Sequence, residues 1–200
     1  MKLPLSFYQR NDVVTISREL LGKYLFTCIN GEVTGGYIVE TEAYNGVVDR
    51  ASHAFENRLT PRTKVMYMNG GVAYVYLCYG IHEMFNVVTS VEGHPHAILI
   101  RAIHPTDGLE VMQYRRKMTE VKRTITSGPG SVAQALGISR QINAINLQSD
   151  TLWIEDRGMV IPDEQIAAVP RVGVAYAKQD ALLPYRFYVK GDRFVSSPNK

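Results

Sequence analysis

Glu40, Glu42 and Tyr44 follow one another at intervals of two, so a strand through them places all three on one face. Two carboxylates about 7 Å apart on an otherwise apolar strand are costly unless paired, hydrogen-bonded or hydrated. If the face is buried, one of them is a candidate general base, its proton affinity raised by burial and by its neighbour. If the face is exposed, they are the polar edge of a sheet. Spacing alone leaves both readings open.

Tyrosine is the over-used residue, with 12 copies against one Trp. Tyr74 and Tyr76 share a face of their own strand, and Tyr79 follows them next to Gly80. Aromatic rings projecting from a strand and its turn can stack on a base or fill a gap in a duplex. The same stripe also reads as ordinary core.

Other chemistries find no support. His94 and His96 flank Pro95 without a cysteine at ligand spacing, and His82-Glu83-Met84-Phe85-Asn86 breaks the zinc-protease pattern because Asn86 stands where the second histidine belongs. The His-x-Glu and Pro-Cys-x-x-Cys pair of zinc deaminases is missing, as are phosphate-binding Gly loops and a Gly-x-Ser-x-Gly elbow. No metal or other cofactor is expected.

The positioning elements follow from local signals. Asp12 can cap a helix carrying Val13, Ile16, Leu20 and Leu21 that Gly22 ends. Asn30-Gly31 predicts a tight hairpin between a strand over 24–28 and a return strand from about Gly36 to Tyr44. Further strands are expected over 72–79, 86–91, 97–100, 151–154, 171–176 and 185–189. Thr106 is expected to cap a helix from Asp107 to about Met118, and a short helix should stop at Leu136-Gly137. Short hairpin links without regular helix–strand alternation predict an α+β fold. The expected form is one domain over residues 1–200, a mixed or antiparallel sheet flanked by helices, with a Tyr-bearing hairpin turn protruding.

With 200 residues, 46% of them hydrophobic and 20% charged, the chain can build a core without staples, and disorder is excluded. Two cysteines, Cys28 and Cys78, make no disulfide framework. No apolar run is long enough for a membrane span, and the N-terminus is too short and broken for a signal peptide. A cytoplasmic protein without membrane contact is expected. Net charge is only +3, but Arg58, Arg62 and Lys64 form one basic cluster and Arg115, Arg116, Lys117, Lys122 and Arg123 a second. Each is either a phosphate contact or a solvated surface.

Several segments occur together in a telling order: Leu20-Leu21-Gly22-Lys23-Tyr24-Leu25, Ile38-Val39-Glu40-Thr41-Glu42-Ala43-Tyr44, Asp49-Arg50-Ala51-Ser52-His53 and Thr60-Pro61-Arg62 with Met66. After them come Tyr74 to Gly80, Asn86, Leu99 to Pro105, Arg171-Val172-Gly173-Val174 and Pro184 to Val189. This series resembles the alkyladenine (3-methyladenine) DNA glycosylase family of base-excision repair, over most of the chain. The resemblance implies that Glu42 activates the water that attacks C1′, with Arg101 and the main-chain carbonyl of Val172 helping to place it. It implies that Tyr44, His53 and Tyr76 enclose a flipped base, with the backbone of His53 reading its edge and Tyr74 lining the site. Asn86 obstructs the amine of normal guanine, and Tyr79, with Met66 near it, enters the duplex; Glu40 remains structural. No lysine is matched where a Schiff base would form, so a monofunctional enzyme is implied.

The implied partner is double-stranded DNA carrying alkylated or deaminated purines (3-methyladenine, 7-methylguanine, hypoxanthine, ethenoadenine). The enzyme is then a stand-alone, bacterial-type, nucleoid-associated monomer without an obligatory protein partner. Ser131 departs from the lysine usual after Gly-Pro-Gly, and Tyr67 from the usual phenylalanine. Three other readings remain: a non-catalytic reader of damaged nucleic acid, a carbohydrate glycosidase using Glu40 and Glu42 as its acid/base pair, and a structural protein whose tyrosines are all core.

Overall fold

The computed structural model describes residues 1–196; positions 197–200 of the expected domain lie outside the described residues. The spine is β2 (Glu32–Tyr44), a strand of 13 residues. The hairpin through Asn30 (φ 56°) and Gly31 (φ 79°) pairs its first half with β1 (Tyr24–Ile29). Along its other edge runs β5 (His96–Asp107), followed outward by β4 (His82–Thr89) and β3 (Ala73–Cys78). Beyond β1 lies β6 (Leu152–Glu155). Where β1 ends, β8 (Arg186–Val189) takes over the edge at Glu40–Glu42, with β7 (Ile166–Val169) beside it. Every strand pairing is antiparallel.

One face of this sheet packs on helices. A short helix α1 (Leu5–Tyr8) precedes α2 (Val13–Glu19), which starts where the Asp12 carboxylate accepts from the backbone N–H groups of Val14 and Thr15 at 3.1 and 3.0 Å. The α2 helix buries Val13 and Ile16 and bonds to β2 through Ser17 and Thr41. The α3 helix (Leu109–Arg116) contributes Met112, and α4 (Pro129–Leu136) contributes Val132, Ala133, Ala135 and Leu136 to the same core. Because Thr41 points to this helical face, strand alternation turns its neighbours Glu40 and Glu42 to the other.

Three expected elements differ. Residues 104–107 extend β5 rather than open a helix, since the long β2 supplies them with partners down to Asp107 opposite Gly35. Gly108, at φ 70°, makes the left-handed bend before α3, so Thr106 caps nothing. Residues 171–176 are loop running into a 3₁₀ segment (Ala175–Leu182), and the strand expected there does not form. The β8 strand is instead flanked by β7, a run of only four residues that carried no turn signal of its own. The return strand starts at Glu32, earlier than expected.

The second basic cluster is largely structural. Arg115 donates to the Ala135 carbonyl and the Thr34 hydroxyl, Arg116 to Gln134 and the Thr124 carbonyl, and Lys122 pairs with Glu120. These bonds tie α3 to α4 and leave fewer cations for a phosphate.

Gly36 marks the closest crossing of β2 and β5, where a Cβ would stand 2.1 Å from the His104 carbonyl oxygen. Neither backbone can yield without breaking the ladder. Gly36→Ala is expected to destabilise the fold by about 2–3 kcal/mol, read as a lower midpoint in urea unfolding.

Candidate active site

Across the face opposite the helices, Glu42 pairs with Leu99, Leu99 with Asn86, and Asn86 with Tyr74. Directly opposed residues in antiparallel strands share a face, so one row spanning β2, β5, β4 and β3 runs Glu42, Leu99, Asn86, Tyr74. Tyr44 and Tyr76 extend it along their own strands. The row floors a cavity of about 520 Å³, whose walls include His53, Arg62, Met66, Tyr79, Val172 and Tyr176. That volume lies within the roughly 300–1,000 Å³ typical of small-molecule sites.

Two irregularities interrupt the β2–β5 ladder beside the charged groups. Ile38 faces Ile103, Glu40 faces Ala102 and Thr41 faces Ile100, so Val39 is an extra residue on one strand and Arg101 on the other. Arg101, two residues from Leu99, shares the face of the carboxylates, with Nε 2.8 Å from Glu40 Oε1 and Nη1 3.3 Å from Glu42 Oε1. Both glutamates are completely buried, which rules out a polar sheet edge.

The two carboxylates differ in their partners. Glu40 also accepts from Arg186 Nε at 2.7 Å and from the backbone N–H and hydroxyl of Ser196 at 2.7 and 2.8 Å. Burial works to raise its pKa, but Arg101 and Arg186 outweigh it and hold the carboxyl below its ordinary value. Glu42 accepts the Val172 N–H at 2.7 Å on Oε1 and the Tyr44 hydroxyl at 2.8 Å on Oε2. A carboxylate offers about four lone-pair directions, so Glu42, facing the cavity, can take one more donor. Burial and then Glu42 itself raise the Tyr44 phenol well above its usual value, keeping it a proton donor. Burial opposes the charge on Arg101, and Glu42 and Glu40 more than restore it.

A second buried ion pair shapes the wall. Arg171, from the loop after β7, meets Asp49 through both terminal nitrogens and donates to the carbonyls of Ala43 and Asp180. Its guanidinium also lies 4.9 Å from the Tyr44 ring centroid. One arginine thereby fixes the Tyr44 ring and the adjoining Val172 N–H. Neither Asp49 nor Arg171 was among the site residues expected from sequence, and only their places inside the quoted segments hinted at them.

The sequence-predicted residues converge, with differences in detail. Glu42, Tyr44, His53, Tyr74, Tyr76, Asn86, Arg101 and Val172 all line the cavity. The Asn86 amide donates to the Tyr74 carbonyl at 3.1 Å, which fixes its orientation. Val172 also donates its N–H to Glu42. Tyr79, at φ 49° in the three-residue loop between β3 and β4, is 90% exposed. Met66 differs from expectation: it is buried under the cavity with Val65, Val72 and Val88, because the 3₁₀ segment Lys64–Tyr67 turns it inward. Among the described residues no group of His, Cys, Asp and Glu gathers for a metal, and no helix is long and apolar enough to cross a membrane.

Removing one partner of a buried ion pair strands the other charge. Asp49→Ala is expected to cost about 3–5 kcal/mol of stability, measured by denaturant unfolding.

A model of the methylpurine-DNA glycosylase family matches residues 6–193. A protein of Chlamydia felis (strain Fe/C-56) named "Putative 3-methyladenine DNA glycosylase" is 44% identical over 186 residues, 92% of this chain and 94% of that one. A protein of the same name from Bacillus cereus (strain G9842) is 42% identical over 207 residues, 98% of this chain and 99% of its own. With a match that runs nearly end to end, this chain belongs to the methylpurine-DNA glycosylase family and is a DNA glycosylase.

Proposed function

We propose that the enzyme removes alkylated and deaminated purines, of the 3-methyladenine, 7-methylguanine, hypoxanthine and ethenoadenine class, from double-stranded DNA. The observation that carries this reading is a buried carboxylate, Glu42, on the floor of an aromatic cavity with an exposed tyrosine, Tyr79, on the hairpin at its rim. A base inside a duplex is out of reach of such a floor, so the nucleotide must rotate out. Tyr79 then occupies the vacated stack, while Tyr44, His53 and Tyr76 hold the extruded base. Stacking contributes roughly 1–3 kcal/mol per base and tolerates different purines. Asn86, with its amide tied to Tyr74, obstructs the exocyclic amine of guanine.

Glu42 takes a proton from a water in its free hydrogen-bonding direction, and the water oxygen forms the bond to C1′. The bond from C1′ to the purine nitrogen breaks, and its electron pair leaves with the base. Tyr44, Val172 and Arg101 hold the carboxylate in place throughout. A cationic alkylpurine leaves readily. Neutral hypoxanthine needs protonation as it departs and depends more on the activated water. With no amine offered to C1′, the product is an abasic site and the strand stays intact. Neither a metal nor an organic cofactor takes part. The enzyme acts as a monomeric single domain, at the nucleoid, without an obligatory protein partner.

Single-turnover release from duplexes carrying one hypoxanthine tests this reading. Glu42→Gln should slow release by about 10²–10⁴-fold, with a smaller loss for 7-methylguanine. Tight binding of damaged duplex without release by the wild type would make the protein a reader of damage. In a separate assay, Tyr79→Ala should weaken capture of the extruded base and lower release at subsaturating protein, because nothing then fills the gap in the stack.

A further inference from the structure

Arg62 stands on the turn before the 3₁₀ segment Lys64–Tyr67, exposed on one side and reaching into the aromatic pocket on the other. Its guanidinium carbon lies 4.5 Å from the Tyr76 ring centroid. Its Nη2 is 2.7 Å from His53 Nε2, and its Nε is 3.3 Å from the Tyr74 hydroxyl. All these partners are neutral, and among the described residues no carboxylate forms a salt bridge with it. The same Nη2 lies 3.2 Å from His53 Nδ1, itself 2.9 Å from the Tyr74 hydroxyl, and because an arginine only donates the imidazole is its acceptor. Burial, then Arg62 and Arg58, pushes His53 down to about 4, so the ring stays neutral beside the guanidinium.

The pocket of the free protein is therefore already holding a cation, by the interaction that draws a positively charged alkylpurine to an aromatic face. We propose that Arg62 is a specificity-determining residue. A cationic base must displace this guanidinium from Tyr76 or suffer its repulsion, whereas a neutral purine can stack beside it. Arg62 thus tilts selection away from cationic alkylpurines, whose bonds are labile, and toward neutral lesions, whose bonds are not. The inference rests on the substrate class proposed above. Arg62 is exposed and only neutral partners hold it, so it can swing aside.

The test compares single-turnover release of 7-methylguanine and of hypoxanthine by wild type, Arg62→Gln and Arg62→Lys, with His53 titrated by NMR in each. Arg62→Gln should raise the ratio of 7-methylguanine to hypoxanthine release about tenfold, and Arg62→Lys should keep it within about twofold of wild type. Loss of the guanidinium should raise the His53 pKa from about 4, with burial and Arg58 still holding it below its ordinary value. An unchanged ratio in an active Arg62→Gln protein would overturn the role of Arg62 and leave the substrate class standing. A wild type that releases neither lesion would overturn the substrate class, and this inference with it.

Discussion

The site depends on one arginine shared between two buried carboxylates. Arg101 reaches Glu40 with one nitrogen and Glu42 with another and is the counter-charge that the two buried carboxylates share. Simple alternation along β5 puts Arg101 on the same face as Leu99, the partner of Glu42, and the register is the same on both sides of the bulges at Val39 and Arg101. The 13-residue length of β2 follows from the same need: one half anchors the fold on β1, and the other is freed from β1 to receive β8 and Arg186.

Within this frame the two glutamates divide their work. Glu40 is saturated by two arginines and Ser196 and acts as the fixed counter-charge. Glu42 is held by a backbone N–H, a phenol and a longer contact to Arg101, and it faces the cavity. This arrangement disfavours a paired-acid glycosidase, since Glu40 has no free direction toward a substrate. The Asp49–Arg171 pair repeats the logic on the wall, one buried charge balancing another so that Tyr44 and Val172 cannot drift.

Much of this was legible in the sequence wherever the signal was local. The Asp12 cap, the Asn30-Gly31 hairpin and the stop at Gly137 are set by residues within a few positions of one another. The two-residue spacing of Glu40, Glu42 and Tyr44 held because β2 is a regular strand beyond its bulge. Thr106 misled because a residue suited to capping also suits a strand, and the length of β2 decided between them. The loop over 171–176 carries strand-like residues, but the Val172 N–H is committed to Glu42 instead of a ladder. The partners of Arg62, Arg171 and Arg186 come from distant segments, and no spacing announces them. Met66 had no local cue to its burial, because a 3₁₀ turn sets the direction of its side chain.

The central claim is that Glu40 belongs to the scaffold and Glu42 to the chemistry. The most direct measurement is the urea-unfolding free energy of Glu40→Gln beside that of Glu42→Gln. Glu40→Gln disturbs four donors in the core and should lose about 3–5 kcal/mol. Glu42→Gln keeps its shape and an acceptor for the Val172 N–H, and should lose no more than about 1–2 kcal/mol. Equal, large losses in both would make Glu42 another strut of the buried network and contradict the division of roles.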